Sequence, residues 1–408
     1  VSSTDREVLD PNPVRRGARL PLLALAMGGF SIGTAEFATM GLLPLISGDL
    51  DVSIPDAGHA ITGYALGVVV GAPLLTTIAA RVNRRRLLLG LIIAFAVGNL
   101  LSAFAPSAGW LVAARFVAGL PHGAFFGVGA VMGAHVAGPG RRGQAVATMM
   151  AGLTIANIIG VPLSTVLGQE LGWRAAFVAV GAMGVLTMLA LWAWLPSLPV
   201  RDGASVRSEI GALRNGRLWL ACVAGSIGFG GMFAVYSYVS PLLTEVTGMA
   251  EATVPIVLAL FGVGMTIGTL LGGRLADRSV IRTVLLGFAS TIVVLVVIAL
   301  VGQWLVPAVL AIVGLGVTSQ ILGLALQSYL MDLSPTAPSL GAALCHSALN
   351  AGNAAGAWSG GLVIASGAGY LAPAWVGAAM TAVGLLVVAG TVLVDRRRAV
   401  PAAVASTP

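Results

Sequence analysis

The chain has 408 residues, 57% of them hydrophobic and only 9% charged, with a mean hydropathy of +0.96. A water-soluble domain has too little polar surface to cover such a composition, so lipid is the solvent for most of the chain. The formal charge is +7, yet every basic residue is Arg and none is Lys, which excludes a P-loop lysine and a Schiff-base lysine within the chain.

In chain order, residues 1–19 are polar, with Asp5, Glu7 and Asp10, and read as a cytoplasmic tail rather than a secretory signal. Apolar runs of about 20 residues, enough to cross a bilayer, then recur twelve times. They lie near 20–46, 59–79, 86–105, 110–133, 143–167, 174–195, 218–243, 254–273, 282–303, 305–330, 341–366 and 371–394. The predicted class is therefore an all-α integral membrane protein of twelve transmembrane helices in two pseudo-symmetric six-helix halves, 20–195 and 218–394. Between them, 196–217 reads as a cytoplasmic linker, in which Val206, Ile210 and Leu213 could form one face of a short interfacial helix. Residues 395–408 read as a cytoplasmic tail.

The halves repeat. Shifted by 197 residues, Gly28, Gly33, Gly67, Gly71 and Gly90 fall on Gly225, Gly230, Gly264, Gly268 and Gly287, and Pro44 and Arg81 fall on Pro241 and Arg278. Chance placement of 55 glycines gives about one glycine coincidence over that window, not five. Such paired hydrophobic repeats build many secondary transporters, with the substrate site between them. Glycine also stripes single spans, at Gly63, Gly67 and Gly71, at Gly264, Gly268 and Gly272, and at Gly352, Gly356 and Gly360. Small residues let helix backbones approach, either as static packing or as seams that slide when the halves rock.

Charge placement orients the chain. Of the 22 Arg, 20 lie in the N-terminal tail, the even-numbered loops and the C-terminal tail. The odd-numbered loops carry Asp49, Asp51, Asp56, Glu170, Glu245 and Glu251, with Arg174 as their one cation. This positive-inside pattern puts both termini in the cytoplasm, and it makes the basic charge a topology signal rather than a nucleic-acid footprint. One loop, 332–339, adds no Arg to the pattern. Cys222 and Cys345 lie inside spans and read as packing residues. The chain holds no His-Glu-x-x-His zinc helix, and the reading is no enzyme, no metal and no cofactor, with any transport gradient-driven unless a separate ATPase partner supplies the energy.

Several motifs then carry a resemblance. Gly33, Glu36, Phe37, Gly41 and Pro44 precede Asp49-Leu50; Arg115, Gly119, His122 and Gly123 mark the fourth span; Gly172-Trp173-Arg174 and Phe177 open the sixth; Gly273, Asp277 and Arg278 close the eighth. Over nearly all of 20–394 the chain resembles the major facilitator superfamily, in its twelve-helix drug:proton antiporter family, on the branch of arabinose or chloramphenicol efflux permeases. The resemblance implies a monomeric exporter in a bacterial cytoplasmic membrane, exchanging protons for a small amphipathic compound by alternating access. A sugar exporter and a proton-coupled importer are rivals, and a transporter-like sensor or scaffold is a distant one. It also implies a cytoplasmic gate of Arg81, Arg85, Asp277 and Arg278. The chain departs from the family at Ala80 and Asn83, where Asp and Gly are usual, and at the loosened motif around Gly160, Pro162, Ser164 and Thr165.

Independently of family, Glu36 requires explanation. It lies about sixteen residues into the first span, roughly 24 Å along a helix rising 1.5 Å per residue. A carboxylate at that depth costs on the order of 2.5–3.5 kcal/mol, and such acids usually face a cavity or a partner. Glu36 is therefore the candidate proton carrier, the alternative being a structural ion pair with Arg115. Arg115 either reaches Glu36 or snorkels to the outer surface, and His122, at i+7 from it, is a further proton-coupling candidate. Candidate substrate contacts are Phe37 and Met40 beside Glu36, Asn157, Phe229, Phe233 and Tyr236, Gln320 and Gln327, and His346, Asn350 and Asn353. An aromatic and amide lining with one acid suits a neutral or cationic amphipathic molecule.

Overall fold

The computed structural model describes residues 18–79, 82–138, 141–197, 214–335 and 338–404. Its described residues hold helices and connecting turns and no strand. Hydrocarbon imposes this on a spanning chain, because each peptide N–H and C=O must find its partner within the protein. The first half consists of α1 (Arg19–Leu50), α2 (Ile54–Ala79), α3 (Arg84–Ala103), α4 (Ala108–Ala137), α5 (Arg142–Ile155, Ala156–Gly160 and Val161–Leu171) and α6 (Trp173–Trp194). The second consists of α7 (Gly216–Tyr236), α8 (Val254–Arg278), α9 (Val280–Val301), α10 (Leu305–Asp332), α11 (Pro338–Val363) and α12 (Ala372–Val404).

Eleven of these helices are long and apolar enough to cross a membrane. The remaining one, α11, carries His346, Ser347, Asn350, Asn353 and Ser359 along its length and so falls outside that set. The interfacial helix expected around Val206, Ile210 and Leu213 lies outside the described residues. Helical backbone in α12 continues to Val404, past the expected end of the last span.

Breaks in the helices have local causes. α4 is interrupted between Gly119 and Pro121, where proline lacks a donor and crowds the preceding turn. In α5 the turn Ala156–Gly160 widens to a π-helix just ahead of Pro162. The seventh span, read from the sequence as one run to 243, is instead broken: α7 ends at Tyr236 and the chain restarts at Val239–Pro241. Pro241 again removes the hydrogen bond that would carry the helix through.

Within the first half α2 packs on α4, α3 on α6, and α1 on α5 and α6. In the second, α7 packs on α11 and α12, α8 on α10, and α9 on α10 and α12. The glycine stripes belong to these intra-half seams. A Cβ on Gly67 would lie 2.2 Å from the Phe116 carbonyl oxygen of α4, and one on Gly268 would lie 2.2 Å from the Val317 carbonyl oxygen of α10. The stripe of α11 faces α7 in the same way, with Gly356 against the Gly230 carbonyl. Since both partners move with one half, static packing explains the stripes, and the sliding-seam alternative does not fit.

Between the halves, α2 packs along α11 and α5 along α8. At the end carrying the acidic loops this contact is closed. Tyr238 of the second half lies against Gly58 of α2, its hydroxyl held within its own half by the Ala357 carbonyl at 2.8 Å, and Gln169 of α5 donates across the interface to the Glu251 carbonyl at 2.7 Å. The same end is fastened within the first half by Asp49, whose carboxylate pairs with Arg174 and accepts from the Trp173 indole at 3.1 Å. Arg174 also donates to the Ala105 carbonyl at 3.0 Å, so the lone cation of the acidic loops ties α1, α6 and the α3–α4 turn together.

Replacing Gly67 with Leu should cost about 1–3 kcal/mol through overpacking. Gly90, which has nothing within 4 Å of its ideal Cβ, should accept Ala. Thermal-denaturation midpoints of the detergent-purified variants check this: a clear drop is expected for Gly67→Leu and none for Gly90→Ala.

Candidate functional site

Between the halves lies a central cavity of about 160 Å³, bordered by α1, α4, α5, α7, α8, α10 and α11. It adjoins a vestibule of about 400 Å³ between α4, α5, α10 and α11, lined toward the Arg-rich loops by Ala130, Val146, Met331 and Ala342. Met150, Gln327 and His346 border both. Together they fall within the roughly 300–1,000 Å³ of small-molecule sites. The larger of the two cavities thus lies toward the Arg-rich end.

Aromatic rings from both halves cover the cavity on the acidic side. Phe37 of α1 stacks toward Phe233 of α7 with centroids 6.1 Å apart and meets the edge of Tyr236 at 5.9 Å. Tyr236 in turn stacks on Phe261 of α8 at 3.9 Å. At the opposite side, Phe126 of α4 and His346 of α11 stack with centroids 5.5 Å apart and planes at 5°, forming a neck between cavity and vestibule.

Glu36 borders the central cavity at 8% exposure and forms no hydrogen bond or ion pair among the described residues. Arg115 does not snorkel: its side chain is wholly buried. Its guanidinium donates to the Ala35 carbonyl at 2.8 Å and lies 3.4 Å from Asn99 Oδ1, while Asn99 is itself anchored on the Phe95 carbonyl at 2.8 Å. The faces of Tyr64 and Phe177 flank it at 4.3 and 5.4 Å. The alternative reading, a structural ion pair of Glu36 with Arg115, is not formed among the described residues. Arg115 binds the backbone one residue before Glu36 and acts on the carboxyl through space. A carboxyl left without a protein donor beside a cavity can take a proton or a donor from a ligand.

Of the other expected residues, Phe37, His122, Phe229, Phe233, Gln320, Gln327, His346 and Asn350 border the cavity. Gln320 donates to Thr269 at 3.3 Å and Asn350 to the His346 carbonyl at 3.1 Å, leaving the Asn350 carbonyl oxygen unpaired. Met40, Asn157, Tyr236 and Asn353 are buried but do not line it. Met40 and Tyr236 belong to the apolar core behind the aromatic cover. Asn157 sits in the π-turn, where its amide donates to the Leu153 carbonyl at 3.0 Å. At the Arg-rich end, Asp277 and Arg278 are exposed and enter no ion pair among the described residues, Arg85 donates to the Trp192 carbonyl, and Arg81 lies outside the described residues. Among the described residues, Arg85, Asp277 and Arg278 form no ion pair with one another.

Residue-type reasoning missed Met150, Met232 and Met265, which line the cavity, and Tyr64, whose hydroxyl is 3.1 Å from His122 Nδ1. Methionine carries no signal that separates lining from core. Tyr64 had one: a lone tyrosine among the small residues of α2.

Comparison with known proteins gives a concordant picture. A model of the Major Facilitator Superfamily matches residues 25–341. The inner membrane transport protein YdhP of Escherichia coli (strain K12) is 42% identical over 369 residues, covering 90% of this chain and 95% of that protein. A chloramphenicol resistance protein of Streptomyces lividans is 33% identical over 374 residues, covering 90% and 95%. Among solved structures, the nucleoside transporter NupG superposes with a TM-score of 0.71 at 13% identity, covering 91% of this chain and 99% of that one, a likeness of fold.

The lining is testable without a substrate. With Cys222 and Cys345, both free and buried, replaced by Ala, a cysteine at Gln327 should react readily with a water-soluble maleimide. A cysteine at Asn353 should be protected. Equal reactivity would contradict the cavity's outline.

Proposed function

The chain belongs to the major facilitator superfamily, as a multi-pass membrane transporter, and on that premise we propose that it is a proton-coupled exporter of a small amphipathic compound. The observation that carries this reading is Glu36, an acid at membrane depth that faces the inter-half cavity with no hydrogen-bond or ion-pair partner on its carboxyl among the described residues. Intramembrane acids of this kind are functional by default. As access alternates, the carboxyl takes a proton from one side and releases it to the other. Phe37, Phe229 and Phe233 with Met150, Met232 and Met265 supply apolar surface, and Gln320, Gln327 and Asn350 supply hydrogen bonds. The one buried cation nearby, Arg115, is screened by Tyr64. Such a lining suits a neutral or cationic amphiphile and serves a polyhydroxylated sugar less well, because three phenylalanines and three methionines offer a sugar no hydrogen bonds. The relative named for chloramphenicol resistance makes chloramphenicol the first probe.

Energetically, a proton crossing down the membrane potential yields about 2.3 kcal/mol per 100 mV. At about 1.4 kcal/mol per factor of ten, one proton per cycle can hold a tens-fold gradient of a neutral compound. In proteoliposomes with an imposed pH gradient, Glu36→Gln should reduce chloramphenicol accumulation from tens-fold to none while leaving downhill exchange intact. Uphill transport equal to the parent's would place the proton site elsewhere.

The reading also sets the orientation, with the Arg-rich end and both termini in the cytoplasm of a bacterial inner membrane. In intact cells a cysteine at Val52, in the α1–α2 turn, should react with an impermeant reagent, and one at Val82, beside Arg84, should not. The reverse labelling would overturn the orientation.

A further inference from the structure

Beyond screening Arg115, Tyr64 has no part in the roles assigned so far, yet it touches two ionisable groups of α4. It belongs to α2 and is 1% exposed. Its ring lies under the Arg115 guanidinium of α4 at 4.3 Å, and its hydroxyl is 3.1 Å from His122 Nδ1 on the same helix as Arg115. His122 meets the ring of His346, from the other half, with centroids 6.1 Å apart. Glu36 of α1 acts electrostatically on both Tyr64 and Arg115. The remaining groups packed around this row, Asn99 of α3, Phe126 of α4 and Phe177 of α6, carry no charge.

A phenol can donate to an imidazole nitrogen or accept from it. If Tyr64 donates to Nδ1, neutral His122 keeps its proton on Nε2; if Tyr64 accepts, the proton is on Nδ1. The orientation of one buried hydroxyl therefore selects which character His122 presents to His346 and the cavity. That orientation depends on the ring, and the ring is held by Arg115. The guanidinium has two competing electron-rich partners, the π face of Tyr64 and the carboxyl of Glu36, the residue after the carbonyl it holds. Loss of the Glu36 proton strengthens the second and draws the guanidinium off the ring. We propose that Tyr64 is a positioning residue that passes the protonation state of Glu36 to His122, and through His122 to His346 across the interface of the halves. This rests on Glu36 being the proton site, and it names the element by which that site reaches the neck formed by Phe126 and His346.

The test uses the full-length protein in detergent and needs no substrate. The ¹⁵N signals of the histidine rings are followed through a pH titration, with His122 assigned by its replacement. In the parent, His122 should show a displacement that disappears in Glu36→Gln. In Tyr64→Phe, which keeps the ring under Arg115 and removes the hydroxyl, the Glu36-dependent displacement should be lost. A Tyr64 that only packs would leave it unchanged, and that result overturns the proposal, as does the absence of any Glu36-dependent displacement in the parent. Should Tyr64→Phe fail to accumulate, 3-fluorotyrosine at position 64 keeps shape and hydroxyl but makes the hydroxyl more acidic, and the His122 displacement should then shift along the pH axis. No shift counts against the proposal. Chloramphenicol transport indifferent to a pH gradient would sink the exporter reading alone, because the histidine signals report the relay without any transport.

Discussion

A guanidinium inside hydrocarbon has no water to pair with, and the site is arranged around that constraint. Arg115 is wholly buried, and the protein answers with a backbone carbonyl, an anchored asparagine and two aromatic faces. None of these neutralises the charge, which leaves Glu36 as the nearest available counter-charge. A locked pair would satisfy both groups and do nothing else. Holding the cation on the carbonyl of Ala35 keeps it close to the acid without closing the bond. Breaking a buried pair outright is expensive, so an acid that must gain and lose a proton benefits from a cation that is near and already engaged.

The packing divides rigid from mobile contacts along the same lines. Backbones meet through glycine within each half, α2 against α4 and α8 against α10, at distances that allow no added carbon. Such seams are bistable at best and favour each half moving as a body. Contact between the halves holds one such approach, Gly262 of α8 against the Asn157 carbonyl of α5, and otherwise differs. It rests on the Gln169 hydrogen bond and the packing of Tyr238 on Gly58 at the acidic end and on ring contacts such as Phe37 with Phe233 and Phe126 with His346. Ring contacts and a few hydrogen bonds can be exchanged at small cost, which is what opening one end and closing the other requires.

Architecture was legible in the sequence because lipid leaves few solutions. The twelve spans, the two halves and the depth of Glu36 all follow from hydropathy and the glycine repeat, and the structure departs from them mainly at proline-linked breaks such as the one after Tyr236. The site was legible only in part. Residues on one helical face were correctly grouped for α10, where Gln320 and Gln327 both border the cavity. The same logic failed for Asn353 and Tyr236, since periodicity tells which residues share a face and not which helix covers it. The Asp49, Trp173 and Arg174 cluster shows the limit from the other side. Its members stood out as motif residues, yet nothing in one sequence reveals that α1 and α6 end at the same point.

Chemistry is distributed unequally over the two pseudo-symmetric halves. Glu36, Arg115, Tyr64 and His122 all belong to the first, while Phe229, Phe233, Gln320, Gln327 and Asn350, which give the cavity much of its shape and polarity, belong to the second. The two copies of the repeat thus differ, with the charged groups on one side of the cavity and most of its amides on the other. Coupling between two such halves has to cross their interface. The rings of His122 and Phe126 on one side and His346 on the other are where the charged half touches the ligand-facing one. His346 is also the exception to the division, an ionisable side chain in the half otherwise lined with neutral groups. Its position at the neck makes it the natural point for a change in the first half to be felt by whatever occupies the cavity.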